Sequence, residues 1–295
     1  MSEAELTKLR DEIDAIDLEL LQLLARRDAV SGRVRLAKAG DDVKLRPGRE
    51  ADILRSLLAA NKGGFPERSM LRIWREIFSA SLASQGAYST AVLTQDGGSL
   101  LWDQARDHFG AGGTYHGCAT PRRVLESVAG GEDALGILPL PDPEDTDPWW
   151  QHLLVQPKAA GGGDAPQIIA KLPFWSSAGA NKNGNGETAL VIAMMAPDPS
   201  TNDRPLAAID LAGEVSANRL TSALGAAGID AALAARWHET AAPERWVNLI
   251  DMAGFTDADD ARFDALSDAL EVPVNQILRL GCFAAPSVIK AKGKS

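Results

Sequence analysis

Residues 6–30 read LTKLRDEIDAIDLELLQLLARRDAV, and their apolar positions step by three and four: Leu6, Leu9, Ile13, Ile16, Leu20, Leu23. Continuing the steps reaches Arg27, then Val30, Val34 and Ala37. The spacing predicts one long helix, from Glu3 to Ala39, with a cation set into its apolar seam. Gly32 alone interrupts it. At ~1.5 Å per residue such a helix runs on the order of 55 Å, more than a compact chain of this size can cover by itself. A guanidinium stays charged and is costly to desolvate, so Arg27 calls for an anionic partner, either a carboxylate of the protein or a ligand.

Working outward, the first 86 residues read as three helices. Pro47 opens the second, which carries Ile53, Leu54, Leu57 and Leu58 along one side and stops at Lys62-Gly63-Gly64. Pro66 opens the third, with Met70, Trp74, Ile77, Ser81 and Gln85 expected along one face. After Gln85 the period changes. AYSTAVLT and DALGILPL read as strands, SLLWDQARDHF and TPRRVLESV as helices, giving a small α/β unit. The stretches 141–148, 161–163 and 176–187 have the proline, glycine and polar composition of linkers. None of them fits a phosphate loop, since GNG lacks both the G-K-S/T and the GxGxxG patterns. The last third alternates as strand 205–212, helix 215–227, strand 229–237, strand 245–252, helix 259–270 and strand 274–281, a βαββαβ, ferredoxin-like order. The expected fold is therefore multidomain, α plus α/β, with segments 1–86, 88–196 and 204–285.

Charge narrows the partners. The 295 residues carry a net charge of −10, yet the first 86 hold 15 Lys/Arg against 14 Asp/Glu, and the remainder 15 against 26. The basic chemistry is concentrated in the helical segment. An acidic chain without RRM, helix-turn-helix or zinc pattern is a poor nucleic-acid binder, which leaves small anions as the expected partners. No apolar run reaches membrane-spanning length, and the start MSEAELTKLR lacks the basic-then-apolar plan of a signal peptide, so a cytoplasmic protein is expected. Cys118 and Cys282 form no CxxC and read as two reduced, packed thiols.

The cations on the first helix have a geometry of their own. Lys38 follows Arg27 by eleven positions, returning to within about 20° of the same face ~16 Å further along. The two can converge on one anion. Arg10 lies ~25 Å back and about 100° off that face, so it reaches the same ligand only from an antiparallel second chain. A homodimer of paired long helices accounts for both the helix length and the place of Arg10.

With LTKLRDEIDAIDLELLQLLARRDAV, then LAK, RPGREADILRSL and IWREIFSASLASQ, residues 1–86 resemble the all-helical class of chorismate mutases throughout their length. The resemblance implies an intertwined dimer and conversion of chorismate to prephenate with no cofactor and no metal, in the biosynthesis of phenylalanine and tyrosine. It implies that Arg10 of the other subunit, Arg27 and Arg49 bind the substrate's two carboxylates, that Lys38 and Gln85 flank the ether oxygen, that Glu50 binds the ring hydroxyl, and that Ser81 makes a contact near a carboxylate. Lys38, Gln85, Arg27 and Glu50 are the implied catalytic set. The chemistry fits those residue types. The rearrangement breaks one C–O bond as one C–C bond forms, so the protein need only hold the dianion in its compact conformer and place donors where the ether oxygen gains charge. The family commonly carries an aspartate three residues before Arg49, whereas this chain has Arg46.

Residues 88–290 resemble, more weakly, the prephenate dehydratase and ACT parts of bifunctional mutase–dehydratases, through DALGILPLPDP and ETALVIA, and then GEVSANRLTSALGAAGID, WVNLIDMAGF and ILRLGCF. Where that family has Thr-Arg-Phe this chain has Glu187-Thr188-Ala189, without the arginine, so no dehydratase activity is expected. In the ACT-like part, Gly213-Glu214-Val215 and Ala234-Ala235-Arg236-Trp237 keep only Arg236 of the family's phenylalanine-binding pattern, which implies weak phenylalanine binding or a docking role. Two alternatives stay open: an isochorismate pyruvate-lyase on the same scaffold, and a noncatalytic regulatory subunit of an aromatic-pathway enzyme.

Overall fold

The computed structural model describes residues 2–37, 45–86, 88–94, 100–143, 145, 147–154, 165–177, 188–240, 244–254, 261–264 and 266–289. Three helices come first: α1 (Glu3–Ala37), α2 (Pro47–Ala60) and α3 (Glu67–Ala83). Pro47 occupies the first turn of α2, where its missing N–H costs nothing. There follow β1 (Ser89–Leu93), α4 (Leu100–Phe109), β2 (Thr114–Cys118), α5 (Pro121–Ala129), β3 (Leu135–Pro139), β4 (Gln167–Leu172), β5 (Trp175–Ser177) and β6 (Ala189–Ala193). The chain ends with β7 (Asp203–Leu211), α6 (Ala217–Ala226), β8 (Ala231–Glu239), β9 (Arg245–Met252), α7 (Leu266–Leu270), β10 (Val274–Ala284) and β11 (Ser287–Ile289). The Thr120 and Ser216 hydroxyls cap α5 and α6 by accepting from the Arg123 and Arg219 N–H groups.

Nine strands form one mixed sheet in the order β2-β1-β3-β6-β4-β10-β7-β9-β8. Its first half is parallel at β2-β1-β3 and antiparallel at β3-β6-β4, while β10-β7-β9-β8 is antiparallel throughout. The two halves meet where Gly281 of β10 lies against Ile168 of β4. A Cβ there would sit 2.1 Å from the Ile168 carbonyl oxygen, and Gly281 has φ +149, so only glycine permits this approach. β6 is buried along its whole length, as a central strand should be.

The helices divide sharply. Leu54, Leu71 and Phe78 of α2 and α3 share a core with Phe174, Trp175, Ala284 and Ile289 from the sheet region. α1 has no such cover. Leu9, Ile13, Ile16, Leu20 and Leu23 of its seam are 48–57% exposed in the single chain. On α3 the buried line runs through Leu71, Arg75 and Phe78, one position on from the face expected through Trp74 and Ile77, and it includes a charge that the apolar period does not reveal. Cys118 and Cys282 are free and buried, and burial raises both thiols, Cys282 to about 12. Among the described residues no helix is long and apolar enough to cross a membrane.

Candidate active site

The first turn of α2 carries Arg49 and Glu50 side by side, and α3 brings its partner to the second of them. Arg75 Nη1 donates to Glu50 Oε2 at 2.8 Å, with 2% and 16% of the two side chains exposed. The Arg75 guanidinium lies 5.4 Å from the Phe174 ring centroid and 6.0 Å from that of Phe78, so one aromatic comes from α3 and the other from the sheet region. Arg75 Nε is buried without a hydrogen-bond partner. Burial raises the Glu50 carboxyl above its ordinary value, with Arg75, and more weakly Arg27, pulling it back down. Burial also lowers Arg75 to about 10 against the pull of Glu50. Both shifts record the cost of placing this pair away from water.

Arg27 leans from α1 onto α3. Its Nη1 donates to the Ser81 hydroxyl at 3.0 Å, and its guanidinium stands 5.4 Å from the Phe78 ring centroid. Its hydrogen-bond acceptor among the described residues is thus a neutral hydroxyl, and the guanidinium keeps donors to spare for an anion. One turn beyond Ser81, Gln85 is half-buried and donates through Nε2 to the Ser81 carbonyl oxygen at 2.8 Å, which uses one of the two hydrogens on its amide nitrogen. Arg49 is exposed, and so is Arg10, far back along α1. Lys38 lies outside the described residues. Within one chain, then, Arg27, Ser81, Glu50, Arg49 and Gln85 come from three helices to one neighbourhood, and Arg10 does not join them.

Two residues of this neighbourhood were not singled out by the sequence. Arg75 could have been noticed as a cation in phase with Leu71 and Phe78, the same anomaly that marks Arg27. Asp198 had no local signal at all. Its carboxylate accepts from Arg46 Nε at 2.7 Å and from the Arg49 backbone N–H at 2.9 Å, across 149 residues of sequence. Arg46, the departure from the family pattern, is thereby held by an ion pair.

The described neighbourhood thus brings together arginines, a buried carboxylate, a hydroxyl and an amide, side chains whose chemistry suits holding an anion. Residues 9–86 match the family model for chorismate mutase type II. The chain is 33% identical over 141 residues to the bifunctional chorismate mutase/prephenate dehydratase of Aquifex aeolicus, covering 46% of this chain and 39% of that protein. It is 33% identical over 147 residues to the bifunctional enzyme of Stutzerimonas stutzeri, covering 48% and 40%. The matched part thus spans about two-fifths of the length of these curated relatives. Among solved structures, the prephenate dehydratase from Streptococcus mutans aligns with TM-score 0.44 and 13% identity over 70% of this chain and all of that one. The quorum-quenching acylase GqqA aligns with TM-score 0.45 and 15% identity, over 68% and 96%. Likenesses of that size say nothing about chemistry.

Proposed function

We propose that the helical segment converts chorismate to prephenate. The observation that carries this reading is Arg27, which leaves the apolar seam of its own helix to stand over Phe78 against Ser81, beside the buried Glu50–Arg75 pair. In that reading Arg27 and Arg49 take the substrate's carboxylates, Glu50 accepts the ring hydroxyl proton in a hydrogen bond, and Gln85 with Lys38 donates to the ether oxygen as its bond to carbon lengthens. The arginine donors act mainly by fixing the conformer, and the donors at the ether oxygen by meeting developing charge. The exposed leucine seam of α1 supports a homodimer in which the long helices pair and Arg10 of a second copy completes the cage.

The remainder of the reading concerns the sheet region. β7, α6, β8, β9, α7 and β10 with their β10-β7-β9-β8 pairing support a ferredoxin-like, ACT-like unit. A cavity of about 150 Å³ lies there between Val215, Arg236, Trp237 and Trp246. Arg236 donates to the Val215 carbonyl, which leaves it less able to serve a ligand and agrees with weak phenylalanine binding at most. Thr188 and Ala189 stand where the dehydratase family has its arginine, so the chain works as a mutase without dehydratase activity, in the cytoplasm, on a substrate of the aromatic amino-acid pathway.

The test is loss of chorismate followed by ultraviolet absorbance, with products identified. Prephenate from the wild type, and a rate about a thousandfold lower in Arg27→Ala, are the expected results. Salicylate and pyruvate from isochorismate would favour the lyase, an inactive folded dimer the regulatory subunit, and phenylpyruvate from prephenate would contradict the missing dehydratase.

A further inference from the structure

The N-terminus of α2 is capped by a residue about 150 positions further along the chain. Arg46 is its N-cap residue and makes no side-chain cap hydrogen bond. A helix start without a side-chain acceptor leaves its first N–H groups wanting partners. Here the acceptor is Asp198, whose side chain is 8% exposed and whose Oδ2 takes the Arg49 N–H while Oδ1 takes Arg46 Nε. The contact does not stop at one residue. The Asp198 and Pro199 carbonyl oxygens approach so closely that a Cβ on Gly48 would stand 2.3 and 2.4 Å from them. Thr201 donates from both its hydroxyl and its N–H to Asp52 Oδ1, at 2.7 and 3.1 Å. Arg55 donates to the Ser200 hydroxyl at 3.1 Å and to the carbonyl oxygens of Asn202 and Ala285 at 3.0 and 2.8 Å. Burial opposes the Asp52 charge, but the Thr201 and Arg55 hydrogen bonds outweigh it and hold the carboxyl below its ordinary value. Residues 198–202 therefore grip two turns of α2, and they lead directly into β7, between β10 and β9 of the sheet.

We infer that Asp198 is a positioning residue for the helical site: the sheet region supplies the cap that fixes where Arg49 and Glu50 point. This rests on the proposed mutase reading. Arg49 is at once the residue whose N–H Asp198 receives and a proposed carboxylate ligand, and Glu50 is the next residue of the same turn. Removing the cap lets that turn fray and displaces both side chains by a fraction of a turn, without touching Arg27, Ser81 or Gln85.

The experiment compares steady-state kinetics on chorismate for the full chain, Asp198→Ala, and Asp198→Ala combined with Arg46→Asp, each with a thermal melt. The second substitution places a carboxylate at the N-cap itself, where it can reach the Arg49 N–H locally. The expected result is a KM raised about tenfold in Asp198→Ala, a kcat changed far less, and recovery of most of the KM in the double variant. A merely structural role would lower the active fraction, and so kcat and the melting temperature together, at unchanged KM and without recovery; that result overturns the inference. Active wild type with KM unchanged in Asp198→Ala also overturns it while leaving the mutase reading intact. Wild type that converts no chorismate overturns both.

Discussion

α1 and α2 are consecutive helices that the proposed site draws on, and the chain treats them in opposite ways. α2 is gripped by residues 198–202, shares its core with Phe174 and Trp175, and presents Arg49 and Glu50 from a capped first turn. α1 leaves its apolar seam at Leu9, Ile13, Ile16, Leu20 and Leu23 half in water and meets the rest of the molecule through Arg27. The difference teaches where each half of the site obtains its rigidity. The α2–α3 half is held by the chain's own sheet region; the α1 half, in the proposed dimer, would be held by a second copy. A three-helix segment with two sources of order can be disturbed separately at each.

The largest effect should come from the hinge between the halves. Arg27→Ala removes the side chain that hydrogen-bonds α1 to Ser81 of α3, and the rate loss of about a thousandfold expected for it should appear in kcat/KM at unchanged oligomeric state in sedimentation. Next comes Arg75, which belongs wholly to the α2–α3 half. Arg75→Ala leaves Glu50 in a buried site without its cation, and the unfolding free energy in a denaturant titration should fall by about 3–5 kcal/mol. Adding Glu50→Gln should return part of that loss, because the uncompensated charge is then gone; no return would mean that the Phe174–Arg75–Phe78 stack, not the ion pair, is what matters.

The smallest effect is in the pH profile. Glu50 is raised above its ordinary 4.5, chiefly by burial. The folded protein holds that proton more tightly than the unfolded chain, so Glu50's contribution to stability is full below the unfolded value and is lost as pH rises through the folded one. Binding runs the other way if the carboxylate is what the substrate hydroxyl meets. The acid limb of kcat/KM should therefore fall at a pH above 4.5, and Glu50→Gln should flatten it at a lower plateau. A limb left in place by that substitution would assign it to another group.

How far the sequence reached follows from whether a feature is local. The three helices were legible because period, Pro47 and Lys62-Gly63-Gly64 all lie within the segment they shape. So were α4, α5, β3 and the run from β7 to β10, whose expected edges fall within a few residues; of the helix read over 259–270, α7 occupies Leu266–Leu270, and residues 259, 260 and 265 lie outside the described residues. β2 was missed because TYHGC is short and mostly exposed at the sheet edge, and β4 because QIIAKL stands between glycine-rich stretches that dominate the local composition. The fusion of the sheet at Gly281 and Ile168, and the cap from Asp198, bring together residues more than a hundred positions apart, and periodicity carries no record of such pairs. At the candidate site, Arg27 was legible as a cation in an apolar seam, whereas Arg49, Glu50, Ser81 and Gln85 were reached through the family resemblance. Arg75 was not, because the expected face of α3 was drawn through Trp74 and Ile77 and a buried arginine interrupts the apolar signal that such a reading follows.

The central claim is that one cage is built from two chains, Arg27 from one and Arg10 from the other. The most direct measurement is chorismate turnover by Arg10→Ala and Arg27→Ala chains, each alone and then co-expressed in equal amounts. Each alone should be nearly inactive. Random pairing makes half the dimers mixed, and each mixed dimer has one intact site of two, so the mixture should recover about a quarter of the wild-type rate. A mixture no more active than its components would contradict a shared site.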